Sequence, residues 1–399
     1  MNIGIVVDNE FYNDIRVNNE CKIIATEHKL NILCFDFGIN EYKIDTAYSF
    51  TKIKIKRKYK DIMYAIMNTV DLYSRFWAKH IQKFVLDNNI DILHVHDLYM
   101  SKAAHMALEG LAVKFVLDLH ENYPIAVEGY KWMNKFPNSL IIKPNSWKKK
   151  EGEYLAYPDK IIVLSDWFKE KLTKKYDFLK ESQFEIYPNI PNINEMLSYD
   201  IKPNILDKKK DDFILFYFGG ISKRRGIFVV FDAMRVLIKK YPNIKFLLIG
   251  PIDKNEKAEF MNVINSTVLK NNIIFYEWKD IQLLPSYILA SDICLSPIEK
   301  NDQHESGIAN KVYQYMLLER PVLVSDCKPQ ADLVAGEKAG LVHKWNSVDD
   351  FVEKIENLYN NPELRKQMGE NGKKAILEKY STNKFGVNIL KAYKDILEK

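Results

Sequence analysis

The sequence predicts an α/β protein made of two parallel-sheet domains in series. Three observations predict it. Short apolar runs alternate with longer stretches of helical period through both halves of the chain. A stretch rich in Pro, Asn and charge, without a clean period, interrupts that alternation near the middle. The length, 399 residues, exceeds one ordinary domain and falls short of three.

In the first half the strand-like runs are NIGIVV (2–7), LNILCF (30–35), DILHVH (91–96), KFVLDLH (114–120), KIIVLS (160–165) and FEIY (184–187). Helical patterns follow the first run, from about Arg16, and also the DILHVH and KIIVLS runs. The interrupting stretch spans roughly Pro188 to Asp212, after which FILFYF (213–218), IKFLLIG (244–250), NIIFYEW (272–278), DICLSP (292–297) and RPVLVSD (320–326) restart the pattern. The reading is therefore a first domain over 1–190, a linker over 191–211 and a second domain over 212–382. A last helix from about Asn383 carries Phe385, Ile389, Tyr393, Ile396 and Leu397 on one apolar face.

Composition narrows the function. Hydrophobic content of 47% and charged content of 28% are those of a globular protein, and a net charge of +5 permits acidic ligands without indicating nucleic acid. Cys21, Cys34, Cys294 and Cys327 form no CxxC, so neither a disulfide framework nor a zinc site is expected. No signal peptide or uncharged apolar stretch of membrane-spanning length is read, and a cytoplasmic setting is expected.

Ligands of open parallel sheets bind beyond the carboxyl ends of the strands, so the loops leading into helices come first. FGGISKRRG, Phe218 to Gly226, is such a loop: Ile227, Val230, Phe231, Met234 and Ile238 follow it at helical spacing. Gly219 and Gly220 let backbone approach a ligand, and Lys223, Arg224 and Arg225 supply charge opposite to a phosphate. A diphosphate cradle and a solvated basic turn are both compatible with these residues, and the local sequence does not separate them. The spacing is neither that of a P-loop nor GxGxxG.

A second polar loop, with Glu305, Ser306 and Gly307, precedes a helix carrying Val312, Tyr315 and Met316, again at a helix start that favours an anion. Glu305 and Gln314 can accept hydrogen bonds from sugar hydroxyls, or serve as a helix-start charge and a surface residue. His94 and His96 share a strand, and the expectation is that one packs inward and only one meets a ligand. His120 follows KFVLDL at a ligand-facing strand end. No His, Cys or carboxylate cluster shows metal spacing, so metal-independent chemistry is expected. KIKIKRKYKDIMYAI, Lys52 to Ile66, reads as an exposed strand. The other reading is a basic face on anionic lipid, with Phe76, Trp77, Trp132 and Phe136 as interfacial aromatics.

The glycine-rich basic loop, paired with KVYQYMLLERPVLVSD, resembles the nucleotide-sugar domain of family-4 retaining glycosyltransferases of the GT-B fold. In the first half NDIRVNNE, DILHVHDLYMSKAA, DLHENYP and IIVLSDWFKEKL…FEIYPNI resemble successive patterns of the same family, in the same order over nearly the whole chain. The resemblance implies two Rossmann-like domains facing a cleft, with the last helix crossing back to the first domain.

It also implies roles. Arg225 falls on the diphosphate-binding cation and Gly219 opens that loop. Gln314 falls where a ribose-binding Glu usually stands, and Glu305 with Gly307 on the sugar- and phosphate-contacting loop. Tyr276, Glu277 and Trp278 match the loop that holds the base, and the donor set takes in Gly220, Lys223, Arg224, Gly250 and Ser306. His120 lies beside the transferred sugar, giving a catalytic set of His120, Arg225 and Glu305, while Arg16, His96, Glu121 and Asn122 fall on the acceptor side.

Three departures stand out: Gln314 replaces a carboxylate, Gly220 replaces an Arg, and the Glu305 to Gln314 separation is one residue longer than usual. The function implied is transfer of a sugar from a nucleoside-diphosphate sugar, UDP-sugar favoured, to a glycan or lipid-linked acceptor, with no cofactor. The alternatives are a nucleotide-sugar epimerase of the same fold and a non-catalytic sugar-nucleotide-binding subunit.

Overall fold

The computed structural model describes residues 1–38, 48–67, 70–129 and 146–398, which divide into two compact units. The first comprises Met1–Pro188 with Thr382–Lys399, the second Asn189–Ser381.

The first unit is a seven-stranded, wholly parallel sheet in the order β3-β2-β1-β4-β5-β6-β7. The strands are β1 (Asn2–Val7), β2 (Lys29–Asp36), β3 (Ser49–Lys54), β4 (Ile92–His96), β5 (Lys114–Asp118), β6 (Lys160–Val163) and β7 (Phe184–Ile186). Strand residues alternate between faces, so Ile3, Ile5 and Val7 pack against Val17, Cys21 and Ile24 of the helix Ile15–Ile24, while Val6 packs on the other side with Phe35, Trp77 and Val95. The last helix, Thr382–Leu397, belongs to this unit: Ile389, Tyr393 and Ile396 enter the first of these clusters. Leu397 is 45% exposed and does not join that apolar face. Lys160, buried at the start of β6, pairs with Asp395 of the helix at 2.9 Å.

Two expectations for this unit change. The basic run is a strand only to Lys54; from Arg57 to Ile66 it is a helix. Trp77 is fully buried, its ring 4.7 Å from that of Phe35, so it is a core residue and not an interfacial one. Phe76 is part-buried against the same core, and Trp132 and Phe136 lie outside the described residues.

The second unit is a six-stranded parallel sheet, β10-β9-β8-β11-β12-β13. Its strands are β8 (Phe213–Phe218), β9 (Ile244–Ile249), β10 (Ile273–Tyr276), β11 (Ile293–Ser296), β12 (Val322–Ser325) and β13 (Gly340–His343), the last not expected from the sequence. Ile227, Val230, Phe231 and Met234 of the helix Ile227–Lys240 are fully buried on β8 and β9, with Ile238 part-buried beside them. The segment after Pro188 packs with this unit: Ile193–Leu197 is a short helix, and the Lys202 N–H donates to Ser286 Oγ at 2.8 Å. All four cysteines are free and buried. No helix among the described residues is long and apolar enough to cross a membrane.

In each sheet the strand order reverses once, between β1 and β4 and between β8 and β11. The crevice beyond the carboxyl ends of the strands at such a reversal is where open parallel sheets bind ligands.

Candidate functional site

In the second unit the reversal point is formed by the loops after β8 and β11, and they are joined backbone to backbone. The Glu299 N–H donates to the Arg224 carbonyl at 2.9 Å. Gly226 adopts φ +75°, and a β-carbon there would lie 1.7 Å from the Pro297 carbonyl oxygen, so only glycine allows this approach. Gly250, ending β9, has φ +150°, and its β-carbon would meet the Gly219 carbonyl oxygen at 2.1 Å. The helix Asn310–Leu317 is pinned to the same corner, because the Phe218 N–H donates to Tyr315 Oη at 2.9 Å.

The charges on this corner do not cancel. Lys223 is paired: its Nζ lies 2.7 Å from Glu259, and its N–H donates to Glu256 Oε2 at 2.7 Å. Among the described residues Arg224 reaches only Gln303 Oε1, at 3.5 Å. The half-buried Arg225 makes no side-chain hydrogen bond or ion pair among the described residues. His304, from the turn His304–Ser306, shares a hydrogen bond with the Glu299 carbonyl at 2.7 Å through Nδ1. Its pKa is lowered to about 4 by burial and then by the charges of Arg225, Arg224 and Lys311, so the ring is neutral near pH 7. Unpaired guanidinium groups on a strand-to-helix loop are a receptor for a multivalent anion, and guanidinium geometry suits phosphate.

Other expected donor residues occupy the same unit. Glu305 accepts from the Lys328 N–H at 3.2 Å, the Ser306 hydroxyl donates to the Gln303 carbonyl at 2.6 Å, and Gly307 is extended. Gln314 is part-buried on the helix and its amide has no partner among the described residues. Beyond β10, Tyr276 lies under Lys279 Nζ at 4.0 Å from the ring centroid, Glu277 pairs with Lys257 at 3.0 Å, and Trp278 is 76% exposed. Gly220 is exposed, with open space where a β-carbon would be.

The corresponding corner of the first unit is built on the opposite plan. Arg16 is buried and forks onto both oxygens of Asp118 at 2.9 Å, donates to the Tyr187 carbonyl at 2.8 Å, and pairs with Glu20 at 2.9 Å. Burial opposes ionisation of Asp118, but Arg16 and the neighbouring histidines hold its carboxyl below the usual range. Burial and the Asp118 charge push Glu20 well up. His94 and His96 do not point to opposite sides: residues two apart on a strand share a face, and the rings stack 4.7 Å apart. Burial lowers both, His94 to about 4. His94 Nδ1 meets Tyr393 Oη at 2.6 Å, and His96 Nδ1 meets Nε2 of the part-exposed His120 at 2.9 Å.

Arg16 and His96, expected on the acceptor side, are turned into the interior behind His120 and are engaged by partners within the unit. Asn122 is buried and Glu121 part-buried, each with partners. The fold brings together one group that sequence spacing does not show. Candidate ligand atoms of Glu20, His94, His96 and Asp118 lie within 4.8 Å of one another, although both carboxylates already face the Arg16 guanidinium.

Residues 198–375 match the family described as glycosyl transferases group 1, and residues 38–193 the one described as glycosyltransferase family 4. The chain belongs to glycosyltransferase family 4. Its two Rossmann-like sheets are those of the GT-B fold. The uncharacterized glycosyltransferase MJ1178 of Methanocaldococcus jannaschii is 24% identical over 379 residues, 92% of this chain and 90% of its own. The capsular polysaccharide biosynthesis glycosyltransferase CapM of Staphylococcus aureus is 23% identical over 237 residues, 56% of this chain and 58% of its own. The structure of Anabaena Alr3699/HepE in complex with UDP has a TM-score of 0.70 at 12% identity, covering 99% of this chain and 100% of that one.

Sequence reasoning on this glycosyltransferase missed Gly226, His304 and Lys311 in the second unit, and Glu20 and Asp118 in the first. A signal existed for Lys311: with Tyr315 and Leu318 it lies on one helical stripe that is otherwise apolar.

Replacing Gly226 by Ala tests the junction of the loops. A left-handed Ala and a contact with Pro297 that must open should together cost roughly 2–4 kcal/mol. Urea unfolding checks this, and a Gly226→Ala variant as stable as its parent contradicts the account.

Proposed function

We propose that this glycosyltransferase takes a sugar from a nucleoside-diphosphate sugar, UDP-linked by preference, and transfers it with retention of configuration to a hydroxyl of a glycan or lipid-linked acceptor. The single observation that carries the reading is the guanidinium of Arg225, unpaired among the described residues, at the reversal point of the second sheet. The UDP in the Anabaena structure and the capsular polysaccharide role in the name of CapM support the donor and acceptor classes.

In this reading the bond from the anomeric carbon to the β-phosphate oxygen breaks, and charge gathers on the diphosphate. Arg225, helped by Arg224, meets that charge, so no metal ion is required for the step. The acceptor oxygen bonds to the anomeric carbon from the face the phosphate leaves, and its proton passes to the departing phosphate oxygen. Gln314 takes the ribose hydroxyls, Tyr276 to Trp278 the base, Glu305 with Gly307 the sugar and phosphates, and His120 lies beside the transferred sugar.

Arg225→Ala should lower turnover by about 10²–10³-fold, as for removal of one preorganised charge-stabilising donor, and weaken the nucleotide sugar at least about tenfold. A panel of UDP-, GDP- and ADP-sugars followed by product release and by NMR of the new anomeric centre checks both points. An Arg225→Ala enzyme with parental turnover, or a product of inverted configuration, overturns the reading.

A lipid-linked acceptor would place the enzyme against the inner leaflet. Exposed Lys52, Lys54, Lys56, Arg57 and Lys58, with exposed Tyr59 and Ile62 on the following helix, support such contact. The protein should sediment with vesicles containing phosphatidylglycerol. Changing Lys56, Arg57 and Lys58 to Gln should weaken that binding by about 1 kcal/mol per charge. Equal partition into neutral phosphatidylcholine vesicles would rule out the electrostatic contact.

A further inference from the structure

We propose that Lys311 is a donor-binding residue whose ammonium group takes its counter-ion from the diphosphate of the nucleotide sugar, an assignment that rests on the donor reading above. Lys311 is the second residue of the helix Asn310–Leu317, yet its side chain does not reach solvent: the residue is 8% exposed. Its Nζ lies 3.7 Å from the ring centroid of Tyr217 on β8, and 3.1 Å from where a β-carbon on Gly219 would stand. The ammonium therefore passes from the helix that follows the β11 loop to the first residue of the β8 loop. It makes no hydrogen bond or ion pair among the described residues.

A purely structural reading of this lysine is unsatisfactory. Its aliphatic stem could pack as well on Tyr217 if it ended in a methyl group. A buried cation kept for stability is ordinarily paired, and the quadrupole of one aromatic ring offsets only part of its lost hydration. The charged or titratable groups that face it are Arg225, His304 and Tyr217, and none of them is an anion near neutral pH: burial raises Tyr217 to about 12 and leaves His304 neutral. Burial, and after it the Arg225 charge, press Lys311 well below the usual lysine range. An anion carrying more than one negative charge, bound between Arg225 and Gly219, would relieve both cations together. Gly220, next in the loop, brings no charge of its own.

Two linked outcomes are expected for Lys311→Met. The ligand-free variant should melt at or above the parental temperature, because an unpaired buried charge has gone. Its affinity for UDP should fall at least about tenfold, while that for uridine changes less than about twofold.

The outcomes separate the two levels of argument. If the parent binds none of UDP, GDP and ADP, the donor reading falls, and the lysine assignment with it. A parent that binds UDP, beside a Lys311→Met variant that binds it equally well, overturns the lysine assignment alone. Equal losses for UDP and uridine would do the same, since they would mark a general disturbance of the fold.

Discussion

The close passage of the β8 loop against the β11 loop is the constraint on which the second unit depends. Gly226 meets the Pro297 carbonyl where no side chain fits, and Gly250 meets Gly219 in the same manner. These contacts draw Arg224, Arg225, His304 and Lys311 to one corner of the sheet, all four cationic or able to become so, with no carboxylate partner among the described residues. Concentrated positive charge of this kind lowers the stability of an empty site and raises its affinity for an anion. The fold supplies the energy elsewhere, in the largely buried strands β8, β9 and β11 and the helix stripe laid on them.

The first unit handles charge in the reverse way. Arg16 is surrounded by Asp118, Glu20 and the Tyr187 carbonyl, so the cation and its counter-ions are settled within the protein. What reaches the exterior from this network is His120, whose Nε2 is held by His96 and whose Nδ1 lies 3.8 Å from Asp14. His96 in turn stacks on His94, and His94 meets Tyr393 of the last helix. The return of the chain to the first unit thus contributes a hydroxyl to the interior side of this histidine row. A buried network satisfied by specific partners fixes ring orientation, and here the ring fixed is the one that the resemblance sets beside the sugar.

Much of the fold was legible because it rests on strands such as FILFYF and IKFLLI, buried on both faces and therefore almost continuously apolar. β13 was not: it has four residues, and the two in its middle are only part-buried. The turn from strand to helix at Lys56 falls within a run of cations, between the alternation of Ile53 and Ile55 and the helical spacing of Tyr59, Ile62, Met63 and Ile66, which was not separated from it. Trp77 shows that an aromatic beside basic sequence is more readily core than interface, since its ring meets Phe35 inside the sheet layer. In the site, the two loops and Arg225 were readable from residue type and position. The pairing of His94 with His96 was misread against the strand period, and the Arg16, Glu20 and Asp118 hub needed three elements brought together. Lys311 was quoted only as part of KVYQYMLLERPVLVSD, and its place in an otherwise apolar stripe was the sequence signal that it is buried.

A diffraction structure of the protein with bound UDP tests the central claim most directly. The account predicts the β-phosphate in hydrogen-bonding reach of the Arg225 guanidinium, at the mouth of the β8 and β11 loops. Nucleotide density at any other strand end, with Arg225 left without an anion, would contradict it.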